Sequence, residues 1–196
     1  MKKIFLMLML GTALYGTLEA ACPNNIQEKI KSKIVRYMDF PKAGIAFDDI
    51  SPILEDPELF GAIIDHLAMR YEEADINAVA ALDARGFIFG SALAYKLRLP
   101  LVMIRKQGKL PGKLYTASYK KLYGEDSFVM RQDALKAGDK VIIIDDFIST
   151  GGSLNAAAEL VITSGASVYE GVFLLNNTDV PEKINFSFPI YSMVDL

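Results

Sequence analysis

Cysteine is nearly absent from this chain. Cys22 is the only one among 196 residues, so no disulfide can form within it and a cysteine-rich zinc site is excluded. Histidine is equally scarce: His66 stands alone, which removes two-histidine metal motifs and speaks against a Ser-His-Asp triad. There is no tryptophan, and no internal repeat or low-complexity tract. An excess of positive charge is missing too. With 21 Lys and Arg against 24 Asp and Glu, the net charge is −3 and the pI near 5.3, so nothing advertises nucleic-acid binding. The apolar run Ile4 to Leu10, continuing weakly to Tyr15, falls short of the ~20 residues that cross a bilayer.

What is present describes an ordinary folded protein. A hydrophobic content of 52% against 23% charged residues supports a sizeable core, and 21.6 kDa suits one domain. Lys2 and Lys3 before the apolar run, with Ala20 and Ala21 after it, have the layout of a secretory signal. Residues 1–20 are therefore expected to act as a leader and 21–196 as a single domain. Use of that leader implies export to the periplasm; a cytoplasmic location is the alternative.

The alternation of elements points to an α/β fold. Ile26, Ile30 and Ile34, four apart, predict a helix over 22–36. Asp56 as N-cap and Pro57 in the first turn predict another, to Tyr71, with His66 at its surface or boundary. Short apolar runs at 78–82, 101–104, 141–144 and 168–175, with a weaker one at 190–194, read as buried strands. Helices are expected between them at 87–97 and 153–164. That order implies a mostly parallel central sheet flanked by helices. From Arg105 to about Phe128 the chain is polar and broken by Gly108, Pro111, Gly112 and Gly124, the pattern of a long mobile loop or an extended, flexible flap.

The most informative segment is Val141-Ile142-Ile143-Ile144-Asp145-Asp146-Phe147-Ile148-Ser149-Thr150-Gly151-Gly152-Ser153. A buried strand ends in two carboxylates, followed by a bend of small residues and then a helix. Ligands of open α/β sheets bind just beyond the carboxyl ends of strands. Gly151 and Gly152 let backbone amides approach an anion, Thr150 and Ser153 add hydroxyls, and the helix N-terminus favours negative charge. The bend has no lysine, which excludes a nucleoside-triphosphate P-loop. Paired carboxylates beside such a bend make sense as acceptors for sugar hydroxyls, so a sugar phosphate fits best.

This segment resembles the phosphoribosyl-pyrophosphate (PRPP) signature of the type I phosphoribosyltransferases, and the rest of the chain is similar to their adenine branch. Phe40 to Phe47 with Asp49-Ile50-Ser51-Pro52 resembles a base-binding hood, and Leu82 to Phe87 a pyrophosphate loop. Ile104 to Gly112 with Ala117-Ser118-Tyr119 resembles a flap. The resemblance implies that Asp145 and Asp146 hold the ribose hydroxyls and that Ser149, Thr150, Gly151, Gly152 and Ser153 cradle the 5-phosphate. Arg85, Gly86 and Phe87 would hold pyrophosphate, next to a non-proline cis peptide at Asp83-Ala84, with Arg105 and Lys109 adding positive charge. The purine would lie by Ile45, Ala46, Phe47 and Asp48, with Tyr123 on the flap among the catalytic residues. It further implies Mg²⁺ carried by the substrate rather than by direct protein ligands, and a homodimer.

Two positions depart from that pattern. Asp48 stands where the family has arginine, and Leu122 where it has a flap glutamate assigned to proton transfer on the purine. Asp48, Glu125 and Asp126 are the carboxylates placed to take over that task. The expected reaction makes AMP and pyrophosphate from adenine and PRPP. A PRPP- or nucleotide-binding protein without catalysis, and a transferase for another purine base, are the alternatives.

Overall fold

The computed structural model describes residues 23–121, 124–177 and 185–196. The leader-like segment, Leu122 and Tyr123 lie outside them.

Helix α1 (Asn24–Lys33) is shorter than its isoleucine spacing suggests. Ile34 is already extended, and the β-branched Ile34-Val35 pair hands the chain to strand β1 (Val35–Tyr37). A tight turn follows, in which Asp39 adopts a left-handed conformation and its carboxylate accepts from the Gly44 amide at 2.7 Å. Strand β2 (Phe47–Asp49) then returns antiparallel to β1, and the two form a small separate sheet, the hood. After the short α2 (Ser51–Leu54), helix α3 (Pro57–Tyr71) starts where capping chemistry predicts: the Asp56 carboxylate accepts from the Leu59 amide at 3.0 Å.

The main sheet then builds through β3 (Ala78–Leu82), α4 (Gly86–Leu97), β4 (Leu101–Lys106), β5 (Leu114–Lys121), β6 (Gly124–Arg131), β7 (Lys140–Ile148), α5 (Gly152–Thr163), β8 (Ser167–Asn176) and β9 (Ile190–Asp195). Its strand order is β5-β6-β4-β3-β7-β8-β9. The five strands from β4 to β9 in that order run parallel, while β6 is antiparallel to both β4 and β5. Ile142 and Ile144 pack with α1 to α4 on one face, whereas Val141 and Ile143 pack with α5 and the β5–β6 hairpin on the other. No helix among the described residues is long and apolar enough to cross a membrane.

Three expectations are corrected here. The polar stretch after Arg105 is a hairpin that completes one edge of the sheet rather than a loop, with Ala117 and Tyr119 turned inward at alternate positions. The acidic doublet lies inside β7, which continues to Ile148, so pleating sends Asp145 and Asp146 to opposite faces. His66 is buried rather than at the surface, its Nε2 paired with the Tyr191 hydroxyl at 2.6 Å. The non-proline cis peptide at Asp83-Ala84 is present, as is a cis bond at Phe40-Pro41.

Candidate active site

At the carboxyl end of β7 the chain bends through Ser149 and Thr150 to Gly151, the N-cap of α5, at φ 90°. That left-handed conformation suits glycine. No side chain caps this helix and no acidic residue occupies its first turn. A long 3.5 Å contact from the Gly152 amide to Thr150 Oγ1 is the one side-chain acceptor recorded there among the described residues. The bend borders a cleft of about 320 Å³ whose lining includes Ile45, Leu82, Tyr119, Asp145, Phe173 and residues 147–154.

Asp145 faces this cleft, its Oδ1 accepting from the Asp146 amide at 2.9 Å. Asp146, only 5% exposed, faces the start of α4, where Arg85 Nε lies 2.8 Å from its Oδ2. That contact has ion-pair distance without hydrogen-bond alignment, and Oδ2 is a buried acceptor with no hydrogen-bond donor. Burial, then repulsion from Asp146, pushes the Asp145 carboxyl upward; burial also raises Asp146, against the pull of Arg85. Gly86 makes the arrangement possible. A Cβ there would sit 2.7 Å from the Ile144 carbonyl oxygen and 2.9 Å from Asp145 Oδ1, so only glycine lets α4 start against β7.

The neighbouring cations are tied to the same frame. The Arg85 guanidinium lies 5.1 Å from the centroid of the Phe47 ring, joining the loop before α4 to the hood. Arg105 Nε bonds Asp83 at 3.0 Å, and its guanidinium sits 5.7 Å from the Phe87 ring centroid.

A phosphoribosyl transferase domain family matches residues 50–188. The adenine phosphoribosyltransferase of Pseudomonas paraeruginosa is 46% identical over 153 residues, covering 78% of this chain and 82% of that protein. This chain belongs to the adenine phosphoribosyltransferase family. Solved structures agree. The enzyme of Thermoanaerobacter pseudethanolicus superposes with a TM-score of 0.82 at 39% identity, over 87% of this chain and 99% of that one. The Saccharomyces cerevisiae enzyme, solved with an imino-altritol bisphosphate and adenine, gives 0.81 at 37%, over 87% and 99%.

Within this family member, the fold gathers Ile45, Asp145, Ser149, Thr150, Gly151, Gly152 and Ser153 around one cleft. Arg85, Gly86, Phe87 and Arg105 converge beside it on the opposite face of β7, through Asp146 and Asp83. Lys109 is exposed, and its carbonyl accepts from Arg105 at 3.4 Å. Ala46 is exposed as well, while Phe47 is half-buried with the Phe40 ring packed edge-on at 5.1 Å. Asp48 is fully engaged: Arg36 donates to both its oxygens, at 2.7 and 2.9 Å. Tyr123 and Leu122 lie outside the described residues.

Tyr119 has a place in the cleft that the sequence reading did not assign. Its ring stacks on Phe128 at 4.7 Å, and its hydroxyl interacts with Ser153 of the bend and with Asp126, its cross-strand partner. Burial first, then Asp126, pushes that hydroxyl up to about 12, so it stays protonated at neutral pH. The period-2 alternation Tyr115-Thr116-Ala117-Ser118-Tyr119 was the available signal, hidden among turn-forming residues.

Proposed function

We propose that this protein transfers the 5-phosphoribosyl group of PRPP to adenine, releasing pyrophosphate and forming AMP in purine salvage. The observation that carries this reading is the pairing of an uncapped α5 N-terminus with the half-buried Asp145 and the buried Asp146, whose Oδ2 meets Arg85 at ion-pair distance but has no aligned hydrogen-bond donor. The amides and hydroxyls of residues 149–153 suit a 5-phosphate dianion. Asp145 and Asp146 Oδ2 suit donors, and the ribose 2- and 3-hydroxyls provide them. Arg85, Arg105 and the Gly86 and Phe87 amides would stabilise negative charge on departing pyrophosphate as the bond from the anomeric carbon breaks. A purine ring nitrogen forms the new bond at that carbon as the carbon–pyrophosphate bond breaks, and its proton passes to solvent water. The yeast relative was solved with adenine; here the base would lie against the hood, beside Ile45, which lines the cleft, and Phe47.

Mg²⁺ fits this site as an ion brought by the substrate. Among the described residues no three His, Cys, Asp or Glu side chains group to hold a metal alone. Pyrophosphate and ribose oxygens would therefore supply most of its ligands, with the carboxylate end of β7 adding compensating charge. The ion would neutralise the leaving group.

A homodimer is part of the same reading. Ile88 and Tyr95 on α4 and Leu101 and Met103 on the adjoining β4 are exposed apolar side chains that a second copy would cover. Sedimentation at micromolar concentration tests it. Export through residues 1–20 is a separate proposal, checked by sequencing the N-terminus of protein recovered from fractionated cells.

The function is tested by incubating the protein with PRPP, Mg²⁺ and each purine base while measuring nucleotide monophosphate and pyrophosphate. AMP from adenine is expected. PRPP binding without turnover of any base would favour the non-catalytic reading, and turnover of an oxopurine alone would reassign the base.

A further inference from the structure

The hood contains a charged pair that the transfer chemistry does not use. β1 and β2 are three residues each and form a sheet of their own, and such two-stranded sheets are marginal without added side-chain contacts. Arg36 and Asp48 occupy the central, directly opposed positions. Their bidentate contact sets a 56% exposed guanidinium against a carboxylate that is only 10% exposed. The pair therefore clamps β2 from the solvent side. On either side of Asp48 the strand is held again: Phe47 packs on Phe40 and under Arg85, and the Asp49 carboxylate accepts from the amide and hydroxyl of Ser51. Three consecutive residues are thus fixed from three directions, and Arg36 supplies the only one of these anchors that comes from β1.

We infer that Arg36 is a positioning residue for the base: by holding Asp48 it sets the height of β2, and with it the Phe47 ring, over the purine. The same pairing occupies both Asp48 oxygens, so Asp48 is withheld from proton transfer on the base. This inference rests on the reading that the hood receives the purine. Arg36 is not among the residues that line the cleft; it acts through Asp48.

Steady-state kinetics of Arg36→Ala, Arg36→Lys, the charge-exchanged double variant Arg36→Asp/Asp48→Arg, and Phe47→Ala test it, with adenine and PRPP varied separately. Arg36→Ala should raise the KM for adenine about fivefold, the scale of a partly exposed bidentate pair, while kcat and the KM for PRPP stay within about twofold. Arg36→Lys should fall between it and the unaltered protein, and the double variant should recover most of the loss. An unchanged adenine KM in Arg36→Ala, with a raised one in Phe47→Ala, overturns the inference and leaves the base site standing. An adenine KM unchanged in Phe47→Ala as well overturns the base site, and the inference with it. Equal rises in both KM values, or a lowered melting temperature with unaltered kinetics, show a merely structural pair and also overturn it.

Discussion

Two acidic clusters on neighbouring strands of the same sheet, three residues apart along it, have opposite fates. Near the start of β8, Glu170 is 4% exposed and receives Arg70 at 2.7 and 2.9 Å together with the Tyr71 hydroxyl. Arg70 in turn lies 4.0 Å from the Tyr191 ring centroid, and Tyr191 meets His66. Each charge there has its counterpart. In the second half of β7, by contrast, Asp145 and Asp146 crowd together beside one arginine, whose Nε lies 2.8 Å from Asp146 Oδ2 without hydrogen-bond alignment. A cluster built for stability closes its hydrogen bonds; one built for a ligand leaves them open, at a cost to the empty fold.

That comparison breaks if the two clusters respond alike to neutralisation. Asp145→Asn should lower kcat/KM at least about a hundredfold, because a ribose-facing acceptor is lost, and yet raise the melting temperature by about 3 °C. Both aspartates hold their proton above the ordinary 3.8, so the folded chain binds more protons than the unfolded one and loses stability as pH climbs from 3.8 through the folded values. The stabilisation by Asp145→Asn should therefore grow across that interval, as pH-dependent melting curves would reveal. Glu170→Gln should do the reverse, costing about 3 kcal/mol in denaturant unfolding, since Arg70 loses its counter-charge, with kcat unchanged in protein that is still folded.

Smaller effects sharpen the contrast. Gly86→Ala should reduce both stability and PRPP affinity, by about 2 kcal/mol of overpacking, because the added methyl meets the β7 backbone. Leu122→Glu should raise kcat about tenfold if proton transfer on the purine limits the rate, a gain that pre-steady-state measurement would locate in the chemical step. The smallest effect belongs to His66. Burial, then Arg70, keeps its proton affinity below the usual 6.5, so stability is complete above pH 6.5 and falls as pH drops. His66→Gln should flatten that decline by about 1.4 kcal/mol per pH unit at most.

Much of the site was legible because its signals are local. The apolar run ending in Asp145-Asp146 and the hydroxyl-glycine bend lie within thirteen residues, and the helix that follows is set by the same stretch. The strand order near the site follows from βαβ alternation, and Asp56-Pro57 marks a helix start by its own chemistry. What escaped depends on pairing between distant residues. The β5–β6 hairpin read as loop because Gly108, Pro111 and Gly112 just before it and Gly124 within it outweigh a short alternation, and the partnership with β4 at Arg105 and Lys106 leaves no mark in either segment alone. Arg36 opposite Asp48 is likewise a matter of register. His66 read as a boundary residue because its partner, Tyr191, is 125 positions away.

Calorimetric titration of PRPP with Mg²⁺ into the unaltered protein and into Asp145→Asn tests the central claim most directly. Saturable one-site binding to the former, weakened at least about thirtyfold in the latter, is the predicted result. Equal affinity for both proteins, or no binding to either, would contradict the assignment of the β7 carboxylates and the bend beyond them to a ribosyl phosphate.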